Sequence, residues 1–329
     1  MISVLVIMGP TASGKSRLAV DVAQRLNGEI VSADAFAIYR GMDIGTDKPS
    51  AEVRRRVPHH LLDILDPTEP FSAGDFVDAA DAAIEDILGR GRLPMIVGGT
   101  HFYIRSLLLG LFPAPPQDPK IRALLEREWD EDPQATFRRL EAFDPDAANL
   151  IGPSDRQRIL RALEVQDVSG EPISAHWNRH QEGPRYNALL TAPQRQRPDL
   201  YAKIDSRVDE MFAGGLVDEV SRILESGIPA GAHSLKAIGY REVVAMLSGL
   251  IQYTEAVERT KRSSRKLAKR QLTWLRRERE GQIHWVPPAG EGGADTVYNL
   301  WAEFLGSTVE NGTSTLKDQQ PIVNLEGDT

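Results

Sequence analysis

The stretch ISVLVIMGPTASGKS, residues 2–16, decides the fold. It opens with Ile2 to Met8, an almost wholly apolar run of the kind found in central strands of parallel sheets. Apolar residues then recur at helical spacing from Leu18 to Leu26, beyond the loop. The order strand, glycine-rich loop, helix predicts an α/β protein with a P-loop NTPase-like parallel sheet as its core.

The loop itself matches the pattern GxxxxGK[ST], in which backbone N–H groups and a helix N-terminus surround phosphate oxygens. In this pattern Lys15 neutralises phosphate charge and the Ser16 hydroxyl is placed to hold Mg²⁺. The motif leaves the phosphate ester open, with ATP as the default. The predicted phosphate-binding residues are Gly9, Pro10, Thr11, Ala12, Ser13, Gly14, Lys15 and Ser16.

A second apolar strand, Leu93 to Val97, runs into Gly98-Gly99-Thr100 and carries no carboxylate at its end. Enzymes that hydrolyse or transfer a phosphoryl group from a P-loop usually have an Asp there to hold magnesium. The missing carboxylate therefore keeps open the possibility that the bound phosphate is a leaving group.

Asp34 follows another short predicted strand, Glu29 to Ala33. The carboxyl ends of parallel strands form the ligand-binding edge of such a sheet, so Asp34 is expected to face the bound phosphate ester. It is a candidate general base or hydrogen-bond acceptor, and the alternative is a residue that caps a turn. The crowded aromatics, glycines and charges of residues 35–49 do not resemble a surface helix and favour the functional interpretation.

Strand signals disappear after the proline-rich segment FPAPPQDP, residues 112–119. Helical patterns take over, including one from Arg207 to Leu224, and a last short strand is predicted at Ile283 to Val286. The predicted organisation is a first part of the core at 1–113, an inserted all-helical subdomain at 114–198, a second part of the core at 199–305 with one long basic helix, and a disordered tail at 306–329.

Composition and charge limit the possible partners. The 329 residues include no cysteine, which excludes disulfides and thiol chemistry and favours a reducing cytoplasm. No run of about 20 apolar residues and no secretory signal is present, so no membrane association is expected. The net charge of −8 argues against a nucleic-acid partner, yet residues 259–280 hold ten basic residues against two acidic ones, a net charge of +8.

Several long motifs stand in one order along the chain: GPTASGKS, SADAFAIYRGMDIGTDKP, VPHHLLDILDP, RGRLPMIVGGTHFY, SDRQRILRALEV, AIGYRE and KLAKRQLTWLR. Together they resemble the bacterial tRNA dimethylallyltransferases, which prenylate an adenosine beside the anticodon. The resemblance implies transfer from dimethylallyl diphosphate with release of diphosphate, Mg²⁺ as cofactor, and Asp34, Lys15 and Thr11 as catalytic residues. It further implies the tRNA anticodon stem-loop as partner, and we expect a monomer.

The resemblance also places tRNA contacts on both parts of the chain, including the inserted subdomain. Ala35 and His101 depart from the residues common in that family. The implied tRNA-binding residues are Asp34, Ala35, Phe36, Ala37, Thr100, Arg122, Gln157, Arg158, Ile159, Leu160, Arg161, Lys236, Ala237, Ile238, Gly239, Tyr240, Arg241, Lys269, Arg270, Gln271, Leu272, Thr273, Trp274, Leu275 and Arg276.

Three alternatives remain at this point: a P-loop small-molecule kinase, a prenyltransferase that acts on free AMP or ADP, and an RNA-binding protein without catalysis. The inserted helical subdomain and the basic helix argue against the first two, because a mononucleotide needs no such surface. A second basic stripe, at Arg156, Arg158 and Arg161 of the inserted subdomain, is consistent with binding to a folded RNA. Lys15 and Asp34 at one sheet edge argue against the third. His59 and His60 are adjacent on a strand and point to opposite faces, so a structural role is favoured over a metal pair.

Overall fold

A computed structural model describes residues 1–112, 114–179, 183–278 and 282–310, which form two compact units. The first unit joins Met1–Leu108 to the chain from Arg185 onward, and the second consists of the segment that begins at Leu109 and ends at Pro184. Each unit has a hydrophobic core of its own.

The first unit is built on a six-stranded sheet in which every pairing is parallel. The spatial order is β3-β2-β4-β1-β5-β6, so β1 and β4 are neighbours in the middle of the sheet. The strands are β1 (Ser3–Met8), β2 (Gly28–Ala33), β3 (His59–His60), β4 (Leu93–Gly98), β5 (Asn187–Pro193) and β6 (Ile283–Val286). This arrangement confirms the predicted α/β class with a parallel core.

Helices cover the sheet and extend beyond its edge. Ser72 and Asp75 form a capping box at the start of the third helix, which packs on β2 and β4. The helices of this unit are α1 (Lys15–Leu26), α2 (Ala51–Arg56), α3 (Ala73–Gly89), α4 (His101–Leu109), α10 (Arg197–Ala213), α11 (Leu216–Glu225), α12 (Tyr240–Leu247), α13 (Tyr253–Glu278) and α14 (Gly293–Glu310).

The second unit is helical throughout its described residues, as expected for the insertion. Three of its helices begin with Asp at the cap and Pro at the first position, a favourable start because Pro has no N–H to leave unpaired. Its helices are α5 (Pro119–Glu131), α6 (Pro133–Phe143), α7 (Pro145–Ile151), α8 (Arg156–Ser169) and α9 (Ile173–Arg179).

The prediction that no strand lies between residues 113 and 198 is wrong. Residues 187–193 form β5, which pairs with β1 on one side and β6 on the other. The sequence NALLTAP is short and ends in proline, a residue that rarely occurs inside a central strand, so the strand pattern was weak. The first unit therefore resumes at Arg185, within the segment predicted to belong to the insertion.

Two further expectations differ in detail. The helical pattern predicted from Arg207 to Leu224 is two helices, which separate at Gly214 and Gly215. Helix α14 continues to Glu310, into the segment 306–329 predicted to be a disordered tail, and residues 311–329 of that prediction lie outside the described residues. Among the helices that the structure describes, none has both the length and the apolar character needed to cross a bilayer.

Candidate active site

The phosphate-binding loop follows β1 and ends at the first turn of α1, as its motif predicts. The Ser13 N–H donates to the Pro10 carbonyl at 3.2 Å, which closes the loop into a tight turn. Gly14 adopts φ +91° just before the helix, a left-handed conformation that a residue with a side chain enters only at a cost. The loop N–H groups are thereby gathered at the positive end of the helix dipole, where an anion is stabilised.

Lys15 begins α1 and extends toward the neighbouring strand. Its Nζ is 3.5 Å from the Pro10 carbonyl, and a Cβ added to Gly99 after β4 would lie 3.6 Å from that same nitrogen. Burial and the nearby Arg207 guanidinium lower the pKa of Lys15 to about 8, against the opposing charges of Asp34 and Asp47. Burial is the larger of the two causes, so the charged amine is poorly solvated and a bound anion would stabilise it.

Two arginines that the sequence analysis missed complete this cationic surface. Arg207 on α10 donates from a terminal guanidinium nitrogen to the Thr11 hydroxyl at 3.3 Å and pairs with Asp47. Arg195, just before α10, donates from Nε to the Ser13 carbonyl at 3.0 Å. No local motif marks either residue, because Arg207 and Thr11 are 196 positions apart in sequence.

Asp34 lies at the end of β2, on the same sheet edge as Lys15. Its Oδ1 accepts the backbone N–H groups of Phe36 at 2.9 Å and Ala37 at 3.0 Å. The Thr100 hydroxyl accepts the Ala35 N–H at 3.2 Å, which fixes the turn against the loop after β4. The capping role considered for Asp34 is thus real but uses one oxygen, and Oδ2 has no hydrogen bond among the described residues.

Helix α13 closes the site through two side chains on one face. Gln271 accepts the Thr11 N–H at 2.9 Å through Oε1 and donates from Nε2 to the Gly99 carbonyl at 2.9 Å. One turn later the Trp274 ring stacks on His101, with ring centroids 4.6 Å apart and an interplanar angle of 10°. Burial and the charge of Lys15 lower the pKa of His101 to about 3, so this imidazole is neutral at physiological pH.

Comparison with known proteins identifies the family to which this arrangement belongs. A family model described as IPP transferase matches residues 37–278, and one described as isopentenyl transferase matches residues 2–60. The chain belongs to the tRNA dimethylallyltransferase family. It is 49% identical to tRNA dimethylallyltransferase 1 of Trichlorobacter lovleyi over 92% of this chain and 98% of that one. It is 43% identical to the Thermomicrobium roseum tRNA dimethylallyltransferase over 97% and 94% of the two chains.

Solved structures of the family have the same fold. The Bacillus halodurans tRNA isopentenylpyrophosphate transferase superposes with a TM-score of 0.71 at 37% identity, over 94% of this chain and 99% of that one. A eukaryotic dimethylallyltransferase acting on tRNA superposes with a TM-score of 0.79 at 26% identity, over 98% and 82% of the two chains. The resemblance inferred from the motifs is confirmed.

Within this family member, several residues predicted to contact tRNA are buried and are not accessible in this structure. These residues are buried because their spacing places them on the inward faces of helices and turns, whose outward faces carry exposed polar residues. The buried residues of the predicted set are Ala37, Ile159, Leu160, Arg161, Ala237, Tyr240 and Leu275.

Tyr240 illustrates what such a motif residue does instead. Its hydroxyl donates to Glu219 Oε1 at 2.6 Å, and the Glu219 carboxylate accepts the backbone N–H groups of Asp43, Ile44 and Gly45. A Cβ at Gly45 would lie 2.3 Å from the Tyr240 ring. The glycine of MDIG and the tyrosine of AIGYRE are therefore complementary parts of one packing contact.

The second basic stripe predicted on the insertion is neutralised by carboxylates within its own unit. Arg156 pairs with Asp130, Arg158 with Asp155, and Arg161 with the buried Glu164. Arg122 instead donates to the Gln157 amide oxygen at 2.5 Å while its Nε pairs with Glu126. Arg122, Gln157 and Arg158 remain partly exposed, and their contact with tRNA stays a prediction.

The basic segment is also less positive on its surface than its sequence suggests. Two carboxylates of α10 pair with it, Asp209 with Lys261 at 2.7 Å and Asp205 with Arg265. Several other cations share the outer face of α13, since the helical repeat brings their positions to one side of the helix. This outer stripe consists of Arg262, Lys266, Lys269, Arg276 and Arg277, all of them exposed.

The implied Mg²⁺ fits the donor set only as an ion carried with a phosphate ligand. The Ser16 hydroxyl lies exposed in the first turn of α1 and offers one hard oxygen. The described residues contain no group of three or more His, Asp or Glu side chains able to form a cage. Mg²⁺ commonly keeps several waters and takes its other ligands from substrate phosphates, so one hydroxyl is sufficient.

Proposed function

We propose that this chain transfers a dimethylallyl group from dimethylallyl diphosphate to the N6 amine of the adenosine 3′ of the anticodon in tRNA, and releases diphosphate. The observation that carries the proposal is the composition of one sheet edge. It combines a phosphate loop, three converging cations and the carboxylate of Asp34, while β4 ends in Gly98 without the acidic residue expected of phosphoryl transfer.

The chemistry requires stabilisation of a departing diphosphate, which gains one negative charge when its bond to carbon breaks. As the bond between the allylic carbon and the diphosphate oxygen breaks, negative charge accumulates on the leaving group. Arg207, which donates to the Thr11 hydroxyl, and Lys15, beside the Pro10 carbonyl, can bind that charge together with the N–H groups at the start of α1. The Ser16 hydroxyl would hold Mg²⁺, which when bound would supply further neutralisation of the diphosphate.

The acceptor amine needs a group to take its proton as the new carbon–nitrogen bond forms. Asp34 offers Oδ2 for this purpose, because Oδ1 is engaged by the turn that it caps. The adenine must first leave the base stack, which costs a few kcal/mol that protein contacts offset. The outer stripe of α13 supplies cations for that RNA contact.

Competition between acceptors tests the proposal. Unmodified tRNA and AMP are offered together with labelled dimethylallyl diphosphate, and a parallel reaction contains labelled ATP with the same acceptors. We expect label from the prenyl donor in tRNA and little in AMP. Prenylation of AMP alone would support the free-nucleotide prenyltransferase, and transfer of the ATP label to a small molecule would support the kinase.

The pH dependence of the reaction is expected to report on Lys15. With a pKa of about 8, the amine is protonated below that pH and loses its charge above it, so kcat/KM for the donor should fall as the pH rises past about 8. The variant Lys15→Arg keeps its charge over this range, and its normalised profile should lack the alkaline fall. A wild-type profile that stays flat to pH 10 would show that the charge of Lys15 is not used.

Salt dependence is expected to report on the outer stripe of α13. Neutralising Lys269 of this stripe together with its exposed neighbour Arg270 removes two proposed phosphate contacts, so the slope of log K for tRNA against log salt should decrease in magnitude by about 1 to 2. The same change at Arg55 and Arg56, exposed neighbours on α2, serves as the control and should leave the slope unchanged. If the salt slope were the same for the Lys269 and Arg270 double variant as for the Arg55 and Arg56 double variant, the outer stripe would be a solvent-exposed surface without a role in tRNA binding.

The remaining expectations follow from this function. A tRNA-modifying enzyme without cysteines suits the cytoplasm. We propose that a single copy acts on one tRNA, because every group assigned to catalysis lies in the first unit of one chain. Light scattering of the free protein and of its tRNA complex checks the stoichiometry.

A further inference from the structure

Gln271 occupies an unusual position for a residue expected to read RNA. Its amide joins two loops that leave neighbouring strands: the phosphate loop after β1, through the Thr11 N–H, and the loop between β4 and α4, through the Gly99 carbonyl. Both hydrogen bonds are 2.9 Å long. Gln271 is 260 residues from Thr11 and 172 from Gly99 in sequence, so the contact depends on where α13 lies.

The Gln271 amide packs so closely on Gly99 that a larger residue would not fit at that position. A Cβ at Gly99 would lie 2.7 Å from Gln271 Nε2, closer than nonbonded atoms approach, and 3.6 Å from Lys15 Nζ. The Gln271 amide therefore packs directly against the backbone of Gly99, near the Lys15 amine. The Gln271 Nε2 already donates to the Gly99 carbonyl and Oε1 already accepts the Thr11 N–H. These bonds argue against the predicted contact of Gln271 with an RNA base.

The stack of Trp274 on His101 fixes the same helix one turn later. His101 follows Thr100 directly, so the stacked pair holds α13 against the start of α4. The imidazole is 5% exposed and lies between the helix and the site. Hydrogen bonds from Gln271 and an aromatic contact from Trp274 thus attach α13 to both loops at once.

From this geometry we propose that Gln271 is a positioning residue for the donor: it holds the phosphate loop at a fixed distance from the β4–α4 loop and so sets the shape of the diphosphate site. The proposal rests on the proposed function for the identity of the donor. It assigns Gln271 to the prenyl diphosphate and not to tRNA. A neutral amide of this length suits the task because it donates to one loop and accepts from the other.

Replacement of Gln271 by methionine tests the proposal, since methionine keeps the length and loses both hydrogen bonds. We expect KM for dimethylallyl diphosphate to rise about 10-fold or more, because two hydrogen bonds in the site are lost. The Kd for inorganic diphosphate, which is measured without tRNA, should rise by a similar factor. The tRNA affinity should change less than about twofold. The matched control is Gln252→Met, the same replacement at an exposed residue just before α13, which should match wild type in every measurement.

The variant Gln271→Glu provides a second test if the methionine variant folds poorly. Glutamate still accepts the Thr11 N–H but cannot donate to Gly99, and it adds a negative charge close to Lys15. We expect weaker diphosphate binding, together with an alkaline limb of the pH profile that moves to higher pH because the new carboxylate lies close to Lys15. The change in diphosphate binding tests the role of Gln271, and the pH shift tests how close its side chain lies to the amine.

Two outcomes would overturn the proposal: wild-type diphosphate affinity in both Gln271 variants, or a loss confined to tRNA affinity. Failure of the proposed function would look different. In that case the wild-type protein itself would not prenylate tRNA, whereas the comparison of inorganic diphosphate binding between Gln271→Met and Gln252→Met would still decide whether Gln271 shapes the phosphate site.

Discussion

Lys15→Ala is expected to reduce the rate of prenyl transfer by about 10³-fold or more at saturating substrates. Removal of a single preorganised group that stabilises developing negative charge typically costs about 10² to 10³ in rate, and Lys15 carries a full charge in a partly buried position. Single-turnover transfer of label from dimethylallyl diphosphate to tRNA measures the effect.

The same variant should bind tRNA almost as tightly as wild type, because Lys15 lies at the phosphate loop and not on the outer stripe of α13. Thermal unfolding should also change little, since the Lys15 amine makes a single long hydrogen bond, of 3.5 Å, within the part of the chain that the structure describes. Equal transfer rates for Lys15→Ala and wild type would remove the phosphate loop from the reaction.

Asp34→Asn is expected to lower the rate of the chemical step by about 10² to 10⁴. Asparagine retains an oxygen that can accept from the Phe36 and Ala37 N–H groups, so the turn after β2 should persist. It replaces the second oxygen by an amide nitrogen, which cannot take a proton from the adenine amine. Single-turnover kinetics at saturating donor and tRNA isolates this step.

Asp34→Ala separates the two roles of the residue. Alanine loses the proton acceptor and both turn hydrogen bonds, so this variant should be as slow as Asp34→Asn and less stable by about 1 to 3 kcal/mol. Asp34→Asn should unfold at nearly the wild-type temperature. If Asp34→Asn reacted as fast as wild type, Asp34 would be a capping residue alone.

The parts of the molecule that could be predicted from sequence are those in which neighbouring residues carry the signal. Strand β1, the phosphate loop and α1 are consecutive, and their apolar periodicity and glycines specify strand, turn and helix locally. The position of Asp34 followed from the same rule, because the end of a strand in a parallel sheet lies at the ligand edge.

The parts that could not be predicted depend on residues far apart in sequence. Arg207 is one arginine on an amphipathic helix, and its approach to Thr11 depends on how α10 packs. Gln271 stood within a basic run and was assigned to RNA, while the structure places its amide on two loops of the core.

Of the properties predicted from sequence, local net charge differed most from what the folded surface presents. The sum over residues 259–280 ignores the carboxylates that other elements bring to the same surface, and Asp205 and Asp209 on α10 neutralise two of the cations counted there. Arg156, Arg158 and Arg161 are paired in the same manner within the second unit. Surface charge is a tertiary property, so a basic run predicts an RNA contact only after its ion pairs are known.

The most direct measurement is the identification of the modified nucleoside. Unmodified tRNA is incubated with the protein, Mg²⁺ and dimethylallyl diphosphate, then digested to nucleosides, and the products are separated and identified by mass spectrometry, with Lys15→Ala as the blank. We expect N6-dimethylallyladenosine from the position 3′ of the anticodon, together with one diphosphate released per modified base. Unmodified adenosine at that position after prolonged incubation with wild-type protein, or a prenyl group on another nucleoside, would contradict it.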